Sequence, residues 1–369
     1  MRTRILLAAA ALACVACAPR AMLNYRDGDP PTVSLPVALA GVDDRSAAFA
    51  ALYAAELQRG GAGGDTTERW LHGRTDGSSD DLIAQLRQAF ADRAATTAVL
   101  VVPGLFGDCL VAQAVPFGDG VLRTPERSPT EAYAQYADLG LHSIRMLPLP
   151  GRSAAAANGE RIAQAILESA ADPAVAHIVL VAYSKGATDA LHALAALRLR
   201  GAVPTELAAL VSVAGVVMGT PLADRYEAVY DALSPHFRPF DCSASEGGDM
   251  ASLTRRERGP WLAANPPPAG PAYYSVVAHA QPGQMSPLLR ASGKLLAAVD
   301  PRNDGQVIAS DAILPGSVLL AQANADHWDL ALPRDRHPDA AMRAMTSGRA
   351  YPREALFRAM LVWVVGSVH

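Results

Sequence analysis

Residues 178–197 read Ile-Val-Leu-Val-Ala-Tyr-Ser-Lys-Gly-Ala-Thr-Asp-Ala-Leu-His-Ala-Leu-Ala-Ala-Leu, and the architecture of the whole chain turns on how this stretch divides. Ile178 to Ala182 is an unbroken apolar run, the pattern of a strand buried on both faces. Ala187 to Leu197 carries its apolar residues at helical spacing. Between them stand Tyr183, Ser184, Lys185 and Gly186, room only for a sharp strand-to-helix turn. Such a turn crowds the residues two before and two after its apex, so both must be small, and Ala182 and Gly186 are. A serine at the apex stands clear of its neighbours at the sheet edge, where a base can take its proton and activate a poor nucleophile. The plain alternative is a serine that caps a helix.

The same alternation continues on both sides. Ala98 to Val102 is an aliphatic run that ends in Pro103-Gly104-Leu105-Phe106-Gly107. Ser143 to Leu147 leads, past Pro150-Gly151, to a helical pattern from Gly159 to Ser169. Ala208 to Val217, Tyr273 to His279 and Ser317 to Ala321 supply further strands. Strands alternating with helices of this length imply right-handed crossovers and an α/β fold, a mostly parallel sheet with helices on both faces. Residues 219–270 break the rhythm with Gly247-Gly248 and Pro266 to Pro268, and read as a cap or lid inserted between two core strands. Helical segments at Arg45 to Gln58 and Asp80 to Arg93 make residues 18–96 an extension packing on a core domain of residues 97–369.

The remaining catalytic groups follow from the serine. Chains with this elbow order their groups serine, acid, histidine, the last two in loops after late strands. Asn324-Ala325-Asp326-His327-Trp328-Asp329 directly follows the last strand, which makes His327 the expected base. Asn303-Asp304-Gly305-Gln306-Val307 holds the expected acid, Asp304, with Gly305 as a turn able to aim it; Asp300 and Asp311 are the neighbouring alternatives. Two backbone N–H groups must receive the oxyanion. Lys185, just after the nucleophile, and Leu105, in the Gly-rich turn, are the expected donors, and Phe106 is expected to line the acyl pocket. A Ser-Lys mechanism is set aside because adjacent residues at a helix start point in different directions.

These stretches together resemble bacterial lipases and esterases of the α/β-hydrolase superfamily. The likeness runs from about Ala98 to Asp329 and rests on Pro103 to Gly107, Ala182 to Gly186, Gly219-Thr220-Pro221, Asn303 to Val307 and His327-Trp328-Asp329. The chain departs from the pattern at Pro103, where a histidine is usual, and at Ala182, where glycine is. The resemblance implies the α/β-hydrolase fold, ester hydrolysis through an acyl-enzyme, a mobile lid and no cofactor; no residue set carries over a metal. Amide hydrolysis or acyl transfer on the same triad, and a non-catalytic envelope lipoprotein with this fold, are the competing readings.

Half of the 369 residues are hydrophobic, 18% are charged and the net charge is -4, which suits a packed globule and excludes the basic stripe that nucleic acid requires. Arg2 and Arg4 precede an apolar run from Ile5 to Ala13, the layout of a secretory signal over residues 1–17. The run is too short for a permanent span, which needs about 20 residues. The small residues around Cys14 and Cys17 resemble a bacterial lipoprotein signal, with Cys17 favoured over Cys14 as the lipidated residue; ordinary cleavage after a small residue is the other reading. The expectation is therefore an exported protein, periplasmic or anchored to the outer membrane, touching membrane only through its lipid. In an oxidising compartment Cys109 and Cys242 can form one bridge; two separate thiols are the other reading.

Overall fold

The computed structural model describes residues 41–60, 66–73, 80–105, 115–120, 130–233, 246–336 and 340–368. Its strands are β1 (Asp43–Asp44), β2 (Thr97–Val102), β3 (Ser143–Met146), β4 (His177–Tyr183), β5 (Leu207–Val213), β6 (Ala272–Ala278) and β7 (Val318–Ala323). They form one sheet in the order β1-β7-β6-β5-β4-β2-β3, with every neighbouring pair parallel. The helices are α1 (Ser46–Arg59), α2 (Thr67–Trp70), α3 (Asp80–Arg93), α4 (Ala155–Ala170), α5 (Lys185–Leu199), α6 (Pro221–Leu233), α7 (Arg255–Ala264), α8 (Leu289–Ala297), α9 (Ala340–Ala344) and α10 (Arg353–Ser367).

Successive strand residues point to opposite faces, so the continuous apolar runs feed two cores. Val99, Val101, Val179, Val181 and Val211 pack with Phe49, Leu52, Phe90, Phe357 and Val364 of α1, α3 and α10. Ala98, Leu100, Ile178, Leu180 and Leu210 pack with Ile162, Ile166, Leu191 and Leu194 of α4 and α5. Neither face is free for polar residues, which is why the strands read as runs rather than alternations.

Three features depart from the sequence expectations. The strand expected over Ala208 to Val217 stops at Val213, because Ala214 turns to φ 44° and the chain folds back beneath the elbow, where Val216 N–H bonds the Ser184 carbonyl at 3.1 Å. A Cβ on Gly215 would sit 2.5 Å from that of Ala187, so only glycine lets the chain pass there. β1 lies in two aspartates that carry no strand signal; it is held by backbone bonds, Asp43 N–H to the Ser317 carbonyl and Arg45 N–H to that of Leu319. Finally α10, apolar nearly all round, closes one face against α1 and α3. A Cβ on Gly366 would fall 2.5 Å from the Leu86 carbonyl, so this glycine lets α10 approach α3 closely.

Between β5 and β6 the 219–270 segment contributes α6 and α7. Thr254 caps α7, its hydroxyl accepting the Glu257 N–H at 3.2 Å. Arg255 pairs with Asp311, and buried Arg258 donates its Nε–H to the Val217 carbonyl at 3.0 Å, tying α7 to the core. No helix among the described residues is long and apolar enough to cross a membrane.

Candidate active site

Ser184 sits between β4 and α5 with φ 57° and ψ -126°, a conformation costly for any side chain and retained only where the surroundings enforce it. Its N–H donates to the Val213 carbonyl at 3.0 Å, and its own carbonyl accepts from Ala187 and Val216 at 3.1 Å each. The turn is tight enough to select its residues: a Cβ on Gly186 would lie 2.6 Å from the carbonyl oxygens of both Val102 and Pro103. Ala182, two before the serine, is fully buried between its β2 and β5 partners. Ser184 does occupy the N-cap position of α5, yet its hydroxyl makes no cap bond.

Ser184 Oγ is instead 2.8 Å from His327 Nε2, and His327 Nδ1 is 2.7 Å from Asp304 Oδ2. With Nδ1–H donating to the carboxylate, Nε2 is left to accept the serine proton. The other carboxylate oxygen of Asp304 accepts the N–H groups of Gln306 at 2.8 Å and Val307 at 2.7 Å, so the acid is aimed by its own loop. The three side chains come from loops at the carboxyl ends of β4 and β7 and from the segment between β6 and β7. The competing carboxylates are committed elsewhere: Asp300 pairs with Arg302 at 2.9 Å and Asp311 with Arg255. Asp326 accepts N–H groups from Ser286, Trp328 and Asp329.

Lys185 is the first residue of α5, so its N–H has no intrahelical acceptor. Its side chain turns inward, Nζ lying 2.7 Å from both oxygens of buried Asp189. That ion pair, with Asn158 donating to Asp189 at 2.8 Å, keeps the ammonium off Ser184 and supports setting the Ser-Lys mechanism aside. The Pro103 turn lies against the nucleophile, since a Cβ on Gly104 would come 2.9 Å from that of Ser184. Leu105 follows and lines the cavity above the serine. Phe106, Cys109, Cys242 and Cys17 lie outside the described residues.

That cavity measures about 350 Å³ and is walled mainly by apolar side chains, among them Leu105, Val216, Leu222, Met250, Leu253 and Trp328. Leu222, Met250 and Leu253 belong to the inserted segment, which the sequence placed as a lid without singling out these residues. Tyr183 and Trp328 also line the cavity, and the motifs that contain them assign neither a role. For Tyr183 a signal was available: a tyrosine at the end of a buried strand needs a partner for its hydroxyl.

No protein-family model matches the chain, and no curated protein does. Among solved structures, a metagenomic carboxyl esterase, MGS0156, is 29% identical with a TM-score of 0.73, covering 91% of this chain and 96% of its own. The chain has the α/β-hydrolase fold, and over nearly its whole length it is similar to a carboxyl esterase of that fold. The mature lipase BlEst2 of Bacillus licheniformis is more distant, at 17% identity and a TM-score of 0.48 over 73% of this chain and 92% of its own.

In this α/β-hydrolase the histidine loop carries a further buried acid. Burial, and then the neighbouring Asp326, push the Asp329 carboxyl from its ordinary 3.8 up to about 7. A carboxyl raised on folding favours the folded state while protonated, so its contribution is full below about 3.8 and is lost as pH rises through about 7. Asp329→Asn, which stays neutral, should gain on the wild type between pH 4 and pH 8. The difference in Tm is expected to grow by about 3 °C or more across that interval. A difference that stays flat would show that the carboxyl ionises normally.

Proposed function

We propose that this α/β-hydrolase is a serine carboxylesterase that works through an acyl-enzyme, with Ser184, His327 and Asp304 as its triad. The observation that carries the proposal is the continuous relay of 2.8 and 2.7 Å from hydroxyl to imidazole to carboxylate at one rim of the sheet. His327 Nε2 takes the proton of Ser184 Oγ as the oxygen attacks the ester carbonyl, and Asp304 holds the resulting imidazolium by its Nδ1–H. The N–H groups of Leu105 and Lys185 flank the serine and receive the oxyanion. The imidazolium then protonates the departing alcohol, water enters, and the same base activates it to release the acid. The cavity takes the apolar part of the substrate, and Leu222, Met250 and Leu253 of the inserted segment form part of its wall. The likeness to a carboxyl esterase and the apolar walls support an ester substrate.

A panel of p-nitrophenyl esters of increasing chain length beside the matching anilide tests this reading. Esters should turn over with a burst of one p-nitrophenol per chain, while the anilide is not measurably cleaved. Comparable rates on anilide and ester would replace the esterase reading with an amidase, and no turnover of either would favour a binding protein.

Export belongs to the same proposal and rests on the amino-terminal run and Cys17. Mass spectrometry of the mature amino terminus tests it, a lipid-modified Cys17 being the expected species.

A further inference from the structure

The relay is joined a second time, through groups that take no part in proton transfer. His327 N–H donates to the Asp304 carbonyl at 2.8 Å. The His327 carbonyl in turn accepts the hydroxyl of Tyr183 at 2.7 Å. Tyr183 is the last residue of β4, directly before the nucleophile, and its ring centroid lies 5.1 Å from that of His327, tilted by 32°. The main chain of the base is thus held at one end by the acid and at the other by the residue bonded to the serine. We infer that Tyr183 is a positioning residue: its hydroxyl fixes the histidine loop to the elbow, so that the imidazole stays on Ser184 Oγ through acylation and deacylation. The inference rests on the esterase reading of the same site.

The tether suits that task. Tyr183 is only 4% exposed, so water does not compete for the bond. Burial pushes its phenol well above 10, which keeps it a donor over any pH at which an ester can be assayed. A relay built on 2.8 and 2.7 Å contacts tolerates little drift, since about 1 Å of misplacement is enough to cost a catalyst about a hundredfold. The nucleophile is rigid because its strained turn is locked by three backbone bonds, whereas His327 sits in a loop after β7 and needs an external reference. Tyr183 supplies it from a residue covalently joined to the serine.

Tyr183→Phe removes the hydroxyl and nothing else. Active sites counted with a fluorophosphonate give turnover per competent site, which a loss of folded protein does not change. Per titrated site, kcat should fall by about tenfold or more while KM stays within about twofold. Tyr136→Phe is the control, because it also deletes a buried hydroxyl, bonded to the Phe117 carbonyl at 2.8 Å, but outside the site. It should lower Tm and leave per-site turnover unchanged. Assays are run at 10 °C, with folding of each variant checked by its melting curve. Per-site turnover of Tyr183→Phe within twofold of the wild type overturns the inference. Turnover that survives Ser184→Ala instead overturns the Ser184 triad on which the inference rests, so the two failures are distinguishable.

Discussion

Replacing Ser184 by alanine should lower kcat/KM for a p-nitrophenyl ester by about 10⁶-fold and abolish labelling by a fluorophosphonate. The size of the effect follows from what is lost: without Oγ no covalent intermediate forms, and His327 and Asp304 have nothing to activate. Only the residual help of the oxyanion donors and of binding remains, and in comparable hydrolases that is worth about 10³ to 10⁴ over water. The variant should keep its fold, because alanine meets the steric demand of the elbow as serine does and the three backbone bonds at this residue do not involve the hydroxyl. Unchanged melting with lost labelling is therefore the expected pair of results. Labelling that persists in Ser184→Ala would move the nucleophile elsewhere.

Asp304→Asn should cost about 10⁴-fold in kcat with little change in KM. The geometry dictates how the amide will sit. The oxygen that accepts from Gln306 and Val307 must remain an oxygen, so the amide nitrogen is forced toward His327 Nδ1. A donor there selects the opposite imidazole tautomer, which places N–H rather than a lone pair against Ser184 Oγ. The base is thereby present, correctly located and unable to accept the proton. Kinetics at saturating ester, with correct folding confirmed by melting, measure the effect. Retention of more than a tenth of wild-type kcat would mean that another carboxylate serves His327. Asp326 is the nearest in the same loop, yet its oxygens are already taken by three backbone N–H groups.

Some of this site was legible in the linear chain because local physics encodes it. The strands on either side of Ser184 are buried on both faces, so they appear as runs of aliphatic residues. The elbow is crowded by backbone, and Gly186 with Ala182 record that crowding directly. Helix α3 was readable to its ends because Leu82, Ile83, Leu86 and Phe90 line one face of Asp80–Arg93. By contrast α10 is apolar around most of its circumference, and a helix buried on all sides offers no period to read. The two-residue β1 carries no side-chain signal, since its place is set by backbone bonding to β7 alone. Asp304 could be preferred to Asp300 and Asp311 by its motif, but the separation is electrostatic and spatial: those two are paired with arginines in the folded chain.

By itself the sequence determined that this chain builds a parallel sheet sandwiched by helices, with a serine at the sharp turn after a central strand and a histidine in the loop after the last. These are consequences of burial and backbone crowding, which act on neighbours a few residues apart and so leave their mark in composition. Tertiary structure alone decided that Lys185 turns to Asp189 rather than to the serine, that Leu222, Met250 and Leu253 line the cavity, and that the Tyr183 hydroxyl holds the carbonyl of a residue 144 positions away. Hydrogen bonds between distant loops depend on how the whole sheet twists and closes, and no spacing along the chain records them.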